Sequence, residues 1–83
     1  MSARNTRRKP RLDPLVPTRA IDRWLGTVHV TTPEAEIAET IESAPGLKTD
    51  PRWTPALVRQ AVRYALWRHR QNFLDYAYVM GGR

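Results

Sequence analysis

Apolar residues recur at helical spacing in the second half of the chain. From about residue 55 to residue 80 they fall three or four positions apart, which places them on one side of a helix at about 100° per residue. Thr54 and Pro55 supply a helix start, and Gly81-Gly82 supplies the end. We predict one long helix whose core side consists of Val58, Val62, Ala65, Leu66, His69, Phe73, Tyr76 and Met80.

Two shorter helices are predicted before the long one. The first spans about Thr18 to Leu25, and Gly26 ends it. The second has the clearest start in the chain, because Thr32 can cap it, Pro33 can occupy its first turn and two glutamates then meet the positive end of the helix dipole. Residues 27–30 alternate in polarity, but no second strand pattern exists to pair with them. We therefore expect an all-α fold, a three-helix domain over residues 18–83.

Residues 1–17 have a different composition from the rest. They contain many cations, three prolines and few large apolar side chains, so they cannot bury enough surface to offset the entropy of ordering. We predict a flexible, disordered basic N-terminal arm. Leu12, Leu15 and Val16 are expected to anchor its far end against the helices.

The distribution of charge along the chain gives the strongest indication of its binding partners. The chain of 83 residues has a formal net charge of +6, and the charge is unevenly distributed. Residues 1–23 carry seven cations and two acids, residues 24–51 one cation and five acids, and residues 52–83 six cations and one acid. Two basic segments therefore flank an acidic one. Such a field attracts polyanions to the basic surfaces, although arginine richness also arises from codon bias alone.

Two groups of cations are candidates for contact with nucleic acid. The first lies in the arm, where short basic segments broken by proline can enter a groove or follow phosphates, or can simply be solvated. The second lies on the long helix, where three arginines share a side away from the predicted core. The residues we predict to bind nucleic acid are Arg4, Arg7, Arg8, Lys9, Arg11, Arg52, Arg59, Arg63 and Arg70.

Beside this arginine stripe (Arg59, Arg63 and Arg70) lies an apolar ridge formed by Trp67, Leu74 and Tyr78. A patch of this kind usually marks a contact surface. Three interpretations stay open: the ridge borders a nucleic-acid surface, it is the seam of a homodimer, or the first helix or the arm covers it.

The second predicted helix is acidic, which argues against a standard helix-turn-helix. Its connection to the long helix is nine residues long with two prolines, whereas that motif uses a turn of about three or four residues. A looser arrangement remains open, in which Arg52, Arg59 and Arg63 reach a groove. The glutamates either pair with arginines, on the long helix or on a second subunit, or dock a basic protein.

Catalytic and metal chemistry lack their usual residues. The chain has no cysteine and only two histidines, His29 and His69, neither of which has a ligand at metal-site spacing. No phosphate-cradling glycine loop is present. We expect a protein that is not an enzyme and has no metal and no cofactor. No apolar run is long enough to span a membrane, and we expect a cytoplasmic location without membrane partners.

The sequence therefore predicts a small nucleic-acid-binding protein. Double-stranded DNA is favoured over RNA, a homodimer is expected, and the role would be regulatory or architectural, with a phage or mobile element as a possible source. The alternative is an adaptor or inhibitor that docks on a larger protein partner through the apolar ridge of Trp67, Leu74 and Tyr78.

Overall fold

The computed structural model of the protein describes residues 9–44 and 51–81. They form three helices: α1 (Thr18–Leu25), α2 (Glu34–Glu42) and α3 (Pro55–Gly81). No strand occurs within these ranges, so the predicted all-α fold with a long C-terminal helix is confirmed. The predicted arm residues Arg4, Arg7 and Arg8 lie outside the described residues.

Proline and threonine fix the helix starts. The carbonyl of Pro17 accepts a hydrogen bond from the Ile21 amide at the start of α1. At the start of α3, the Thr54 hydroxyl accepts a hydrogen bond from the Leu57 amide at 3.2 Å, as the sequence predicts. The expected cap at Thr32 is wrong, because Pro33 occupies the cap position of α2 and no side chain caps that helix.

The core lies where α1 and α2 pack on the first half of α3. Two alanines of α3, Ala61 and Ala65, are almost completely buried and let the shorter helices approach closely. The other buried apolar side chains are Val16, Ile21, Leu25, Ile37, Ile41, Leu57 and Tyr64.

The buried side of α3 differs from the predicted core side. Leu57, Ala61 and Tyr64 are buried, although the sequence pattern placed them outside the core stripe. Two helices rather than one pack on α3, which widens and rotates the buried arc. Only Ala65 and His69 of the predicted stripe are fully buried.

Polar contacts fix the order of packing along α3. His69 Nε2 lies 2.8 Å from the Thr32 carbonyl just before α2. Ile41, near the other end of α2, lines a cavity together with Ala61. The helix α2 therefore runs antiparallel to α3 and reaches up to about residue 70.

Residues 9–17 of the predicted arm lie against α3. The Asp13 amide donates a 2.7 Å hydrogen bond to Gln60 Oε1. Val16 is buried and Leu12 packs on the core, as expected for anchors, whereas Leu15 is exposed.

The last turns of α3 project beyond the two shorter helices. With 27 residues, α3 is about 40 Å long at 1.5 Å per residue, and the described protein measures 48 × 28 × 20 Å. The helices α1 and α2 have only eight and nine residues. Large apolar side chains beyond residue 72 are therefore exposed, namely Phe73, Leu74, Tyr76, Tyr78, Val79 and Met80.

Candidate functional site

The arginine stripe predicted from the sequence lies on the outer side of α3. Arg59, Arg63 and Arg70 are all exposed and fall within about 40° of one another at about 100° per residue. The structure brings these three residues onto one helix side, opposite the arc that α1 and α2 cover.

Arg70 is already occupied by an acidic side chain. Its Nε and Nη2 donate to the two carboxylate oxygens of Glu34 at 2.6 and 3.0 Å, a bidentate pair. This hydrogen-bonded pairing lowers the pKa of Glu34 and raises that of Arg70. One interpretation of the acidic helix, that it pairs with arginines of the long helix, thus applies to Glu34. The guanidinium of Arg70 has less capacity left for a phosphate.

Arg59 and Arg63 differ from Arg70 in their ion pairing. Across residues 9–44 and 51–81, neither forms an ion pair. They lie four residues apart, so their side chains are neighbours on the helix surface and repel one another. This leaves two adjacent, exposed and uncompensated positive charges on α3.

The N-terminal segment runs beside this pair. Lys9 Nζ lies 6.0 Å from the centre of the Tyr64 ring, at the outer limit of a cation–π contact. Asp13 is held at Gln60, one turn further back. Residues 9–13 therefore follow α3 along the flank next to Arg59 and Arg63. Arg11 of this segment is exposed.

Arg52 lies three residues before the start of α3, next to buried Leu57. Its side chain is exposed and lines a cavity of about 280 Å³ together with Leu15, Trp53 and Leu57. It takes part in a further polar interaction. Its position does not extend the exposed side of α3 that carries Arg59 and Arg63.

Tyr64 and Asp22 join α1 to α3. The Tyr64 hydroxyl donates to Asp22 Oδ1 at 2.7 Å, and the guanidinium Nε of Arg68 lies 3.7 Å from the same oxygen. Burial, together with the hydrogen bond to the carboxylate, raises the pKa of Tyr64 to about 12. These groups have a structural role, because each is used in holding the two helices together.

The apolar ridge of Trp67, Leu74 and Tyr78 spans two environments. All three residues fall within about 40° on α3, as predicted. Trp67 is partly buried, its ring centre lies 5.8 Å from that of Tyr64, and its Nε1 is buried without a partner in the described chain. Tyr78, in contrast, is 80% exposed. Trp67 therefore belongs to the body of the domain, and Tyr78 to its projecting end.

The expected core positions of Phe73, Tyr76 and Met80 are wrong, because these side chains form a surface at the projecting end of α3. All three are exposed, Phe73 and Tyr76 each at 43% and Met80 at 67%. A signal was available, because helices of eight and nine residues can cover only about 12–14 Å of a helix of about 40 Å.

The buried histidine of α3 has a defined hydrogen-bond partner. His69 is buried, and its Nε2 must carry the hydrogen, because the Thr32 carbonyl it contacts can only accept. No set of three acidic or histidine side chains in the described ranges is arranged to hold a metal ion. A cavity of about 260 Å³ between the helices is lined mainly by apolar side chains, including Ile21, Trp24 and Trp53.

Comparisons with known proteins do not indicate a function for this chain. No protein-family model matches the chain, and no curated protein or solved structure is significantly similar to it. None of the helices in the described chain combines the length and apolar character that crossing a bilayer requires.

Proposed function

We propose that this protein binds nucleic acid, with double-stranded DNA as the preferred target. The observation that carries the proposal is the uncompensated pair Arg59–Arg63 on an exposed helix side, with the basic N-terminal segment running along its flank. Guanidinium groups suit phosphate oxygens because their planar fork donates two parallel hydrogen bonds. Arg59 and Arg63 lie on an exposed helix side, and the major groove of DNA is wide enough to admit an α-helix.

Binding would depend mainly on phosphate contacts. Arg59 and Arg63 supply the contacts on this side of α3, and Lys9 and Arg11 of the flanking N-terminal segment add two more cations beside it. Arg70 contributes less because Glu34 holds it. Four phosphate contacts correspond to a slope of roughly −4 in a plot of log affinity against log salt concentration. Such binding is largely independent of sequence, which favours an architectural or broadly regulatory role. The absence of cysteine fits a cytoplasmic location.

The test is fluorescence anisotropy on a random-sequence duplex at about 50 and 200 mM salt. The double variant Arg59→Gln/Arg63→Gln should weaken binding about tenfold or more and make the salt slope shallower by about two. The matched control is Arg19→Gln/Arg23→Gln, which removes two exposed charges from α1 and should change the slope far less.

Two results would contradict the proposal. One is the absence of any binding at about 50 mM salt. The other is an equal loss in both double variants, because binding would then depend on net charge and not on this surface. Competition with structured RNA decides the preferred nucleic acid: displacement of the duplex by RNA at lower concentration than by DNA overturns the DNA assignment.

A second candidate function is that of a protein–protein adaptor or inhibitor. The specific observation in its favour is the projecting end of α3, where six large apolar side chains are exposed. Exposed apolar surface of this kind is typical of contact sites. A pull-down that the substitution Tyr78→Glu on the apolar ridge abolishes, and that Arg59→Gln/Arg63→Gln leaves unchanged, would support an adaptor over a nucleic-acid binder.

A further inference from the structure

The projecting end of α3 has one side that continues the core. Phe73, Tyr76 and Met80 follow one another at spacings of three and four residues and fall within about 60° on the helix. We call these three residues the docking face. They lie above the buried His69, and the docking face therefore begins where the cover provided by α2 stops.

The composition of this end suits contact with another apolar surface. Six of the eight residues from Phe73 to Met80 are large and apolar, and they surround the helix. Asp75 is the one charged residue between residues 71 and 81. A helix that is apolar on all sides is normally buried, so the end of α3 is a candidate contact surface.

We propose that the partner at this surface is a second copy of the chain, bound antiparallel through the docking face about a two-fold axis near Tyr76. The two projecting ends have the same length, about 14 Å from residue 72 to residue 81, so the docking faces of the two copies match along their whole length. A two-fold contact is self-complementary, which means that the apolar face of one copy meets the same apolar face of the other.

Charge favours this arrangement over other contacts between copies. Each chain carries a formal net charge of +6, and two such molecules repel when their bodies approach. Antiparallel pairing of the projecting ends brings together segments that each carry only Asp75, and it leaves the basic bodies at opposite ends. The separation of these bodies exceeds the Debye length of about 8 Å, so salt screens their repulsion.

The available area predicts a weak dimer. The three side chains of the docking face are 43%, 43% and 67% exposed, so at about 200 Å² for a large side chain they offer on the order of 300 Å² per copy. Two copies bury about 600 Å² in this way, which is below the range of stable specific interfaces. The association is therefore expected to depend on concentration.

The first test is sedimentation velocity of the full chain, without nucleic acid, up to about 1 mM protein, the concentration that detects a weak complex. The wild type should shift from monomer to dimer. Tyr76→Glu should keep it monomeric, because the carboxylate would be buried against its own copy. Tyr78→Glu is the matched control, since it introduces the same charge on the opposite side of the same helix turns.

Several outcomes would overturn the proposal: a wild type that stays monomeric throughout, dimers of unchanged strength in the Tyr76→Glu variant, or equal losses in both variants. Met80→Glu checks that loss of dimer is not loss of fold. It lies on the docking face at a more exposed position, and it should also give a monomer with an unchanged helical circular dichroism spectrum.

The second test uses the absence of natural cysteine. Antiparallel pairing about Tyr76 places position 76 beside itself, whereas positions 80 of the two copies lie about 12 Å apart along the helix axis. A short bismaleimide should therefore cross-link Tyr76→Cys efficiently and Met80→Cys poorly. Equal cross-linking at both positions would indicate parallel pairing and overturn the antiparallel arrangement. Neither test involves nucleic acid, so failure here is separate from failure of the proposed function.

Discussion

The ion pair between Arg70 and Glu34 gives Arg70 a structural role that its position in the sequence does not indicate. Its side chain lies on the same side of α3 as Arg59 and Arg63, yet it holds Glu34 through two hydrogen bonds. The pair connects the start of α2 to the middle of α3. It therefore serves mainly to fix the position of α2.

The strength of this pair can be measured with a double-mutant cycle on Glu34→Gln and Arg70→Gln. Both side chains are more than 40% exposed, so solvent screening limits the coupling to about 0.2–1 kcal/mol of unfolding free energy at neutral pH. Because folding lowers the pKa of Glu34, the contribution is present above the unfolded pKa near 4.5 and disappears as the pH falls through the lower folded value. Urea unfolding at several pH values is the measurement, and coupling that survives full protonation of Glu34 would contradict it.

Tyr64 is predicted to make stability depend on alkaline pH. Folding raises its pKa from 10.0 to about 12. The neutral phenol is therefore favoured in the folded state, and its contribution is complete below pH 10 and is lost as the pH rises through about 12. Tyr64→Phe should lower the unfolding free energy at pH 7 by about 0.5–1.5 kcal/mol through the missing hydrogen bond. Its stability should then fall less steeply than that of the wild type above pH 10, which thermal melts can follow.

At the scale of the elements, the start of α3 depends on a single cap. The Thr54 hydroxyl accepts the Leu57 amide hydrogen bond, and Leu57 itself is buried in the core. Thr54→Ala should reduce the unfolding free energy by about 0.5–2 kcal/mol, the usual cost of losing an N-cap. Thr54→Ser, which keeps the hydroxyl, should restore most of it. A serine variant as unstable as the alanine variant would show that the cap bond is not responsible.

Helix starts were predictable because proline acts locally. Pro17 and Pro55 mark the starts of α1 and α3 through their own backbone geometry, and the structure confirms both helices. Gly26 directly follows α1, but its φ of −64° is right-handed, so the left-handed conformation expected of a helix-ending glycine is wrong there.

The buried side of α3 was not predictable in the same way. Which residues it buries depends on how α1 and α2 share the surface of α3. Leu57, Ala61 and Tyr64 also recur at helical spacing, so periodicity alone does not choose between their side of the helix and the predicted one.

Some features of the candidate site were also predictable from the sequence, and others depend on how the helices pack. The common orientation of Arg59, Arg63 and Arg70 follows from helix geometry alone, so the sequence was sufficient to predict that they share one side of α3. The loss of Arg70 to Glu34 depends on the register of α2 against α3, which residue spacing does not contain. The exposure of the docking face follows from a mismatch of helix lengths, which becomes clear only when all three helices are compared.

At the scale of the whole molecule, the two proposed surfaces are compatible. On α3 the docking face and the Arg59–Arg63 pair are about 90° apart at about 100° per residue. A two-fold axis perpendicular to an antiparallel helix pair keeps both arginine pairs on the same side of the dimer. Arg63 and Arg59 lie about 20 and 25 Å from Tyr76 along the helix, so the two pairs would be about 40–50 Å apart.

This spacing predicts a dependence on duplex length. A duplex of about 10 base pairs is roughly 34 Å long, too short for both arginine pairs of a dimer, whereas about 20 base pairs suffice. The wild type should therefore bind the longer duplex as two copies and more tightly per chain than the shorter one. Tyr76→Glu should keep its affinity for the short duplex, because Arg59 and Arg63 are unchanged, but should lose the gain on the long one. Tyr78→Glu adds the same charge away from the docking face and should retain that gain.

Native mass spectrometry measures how many copies bind each duplex, and fluorescence anisotropy measures the affinity. An equal gain in the Tyr76→Glu variant would mean that the longer duplex merely offers more phosphates, and that the two surfaces act independently.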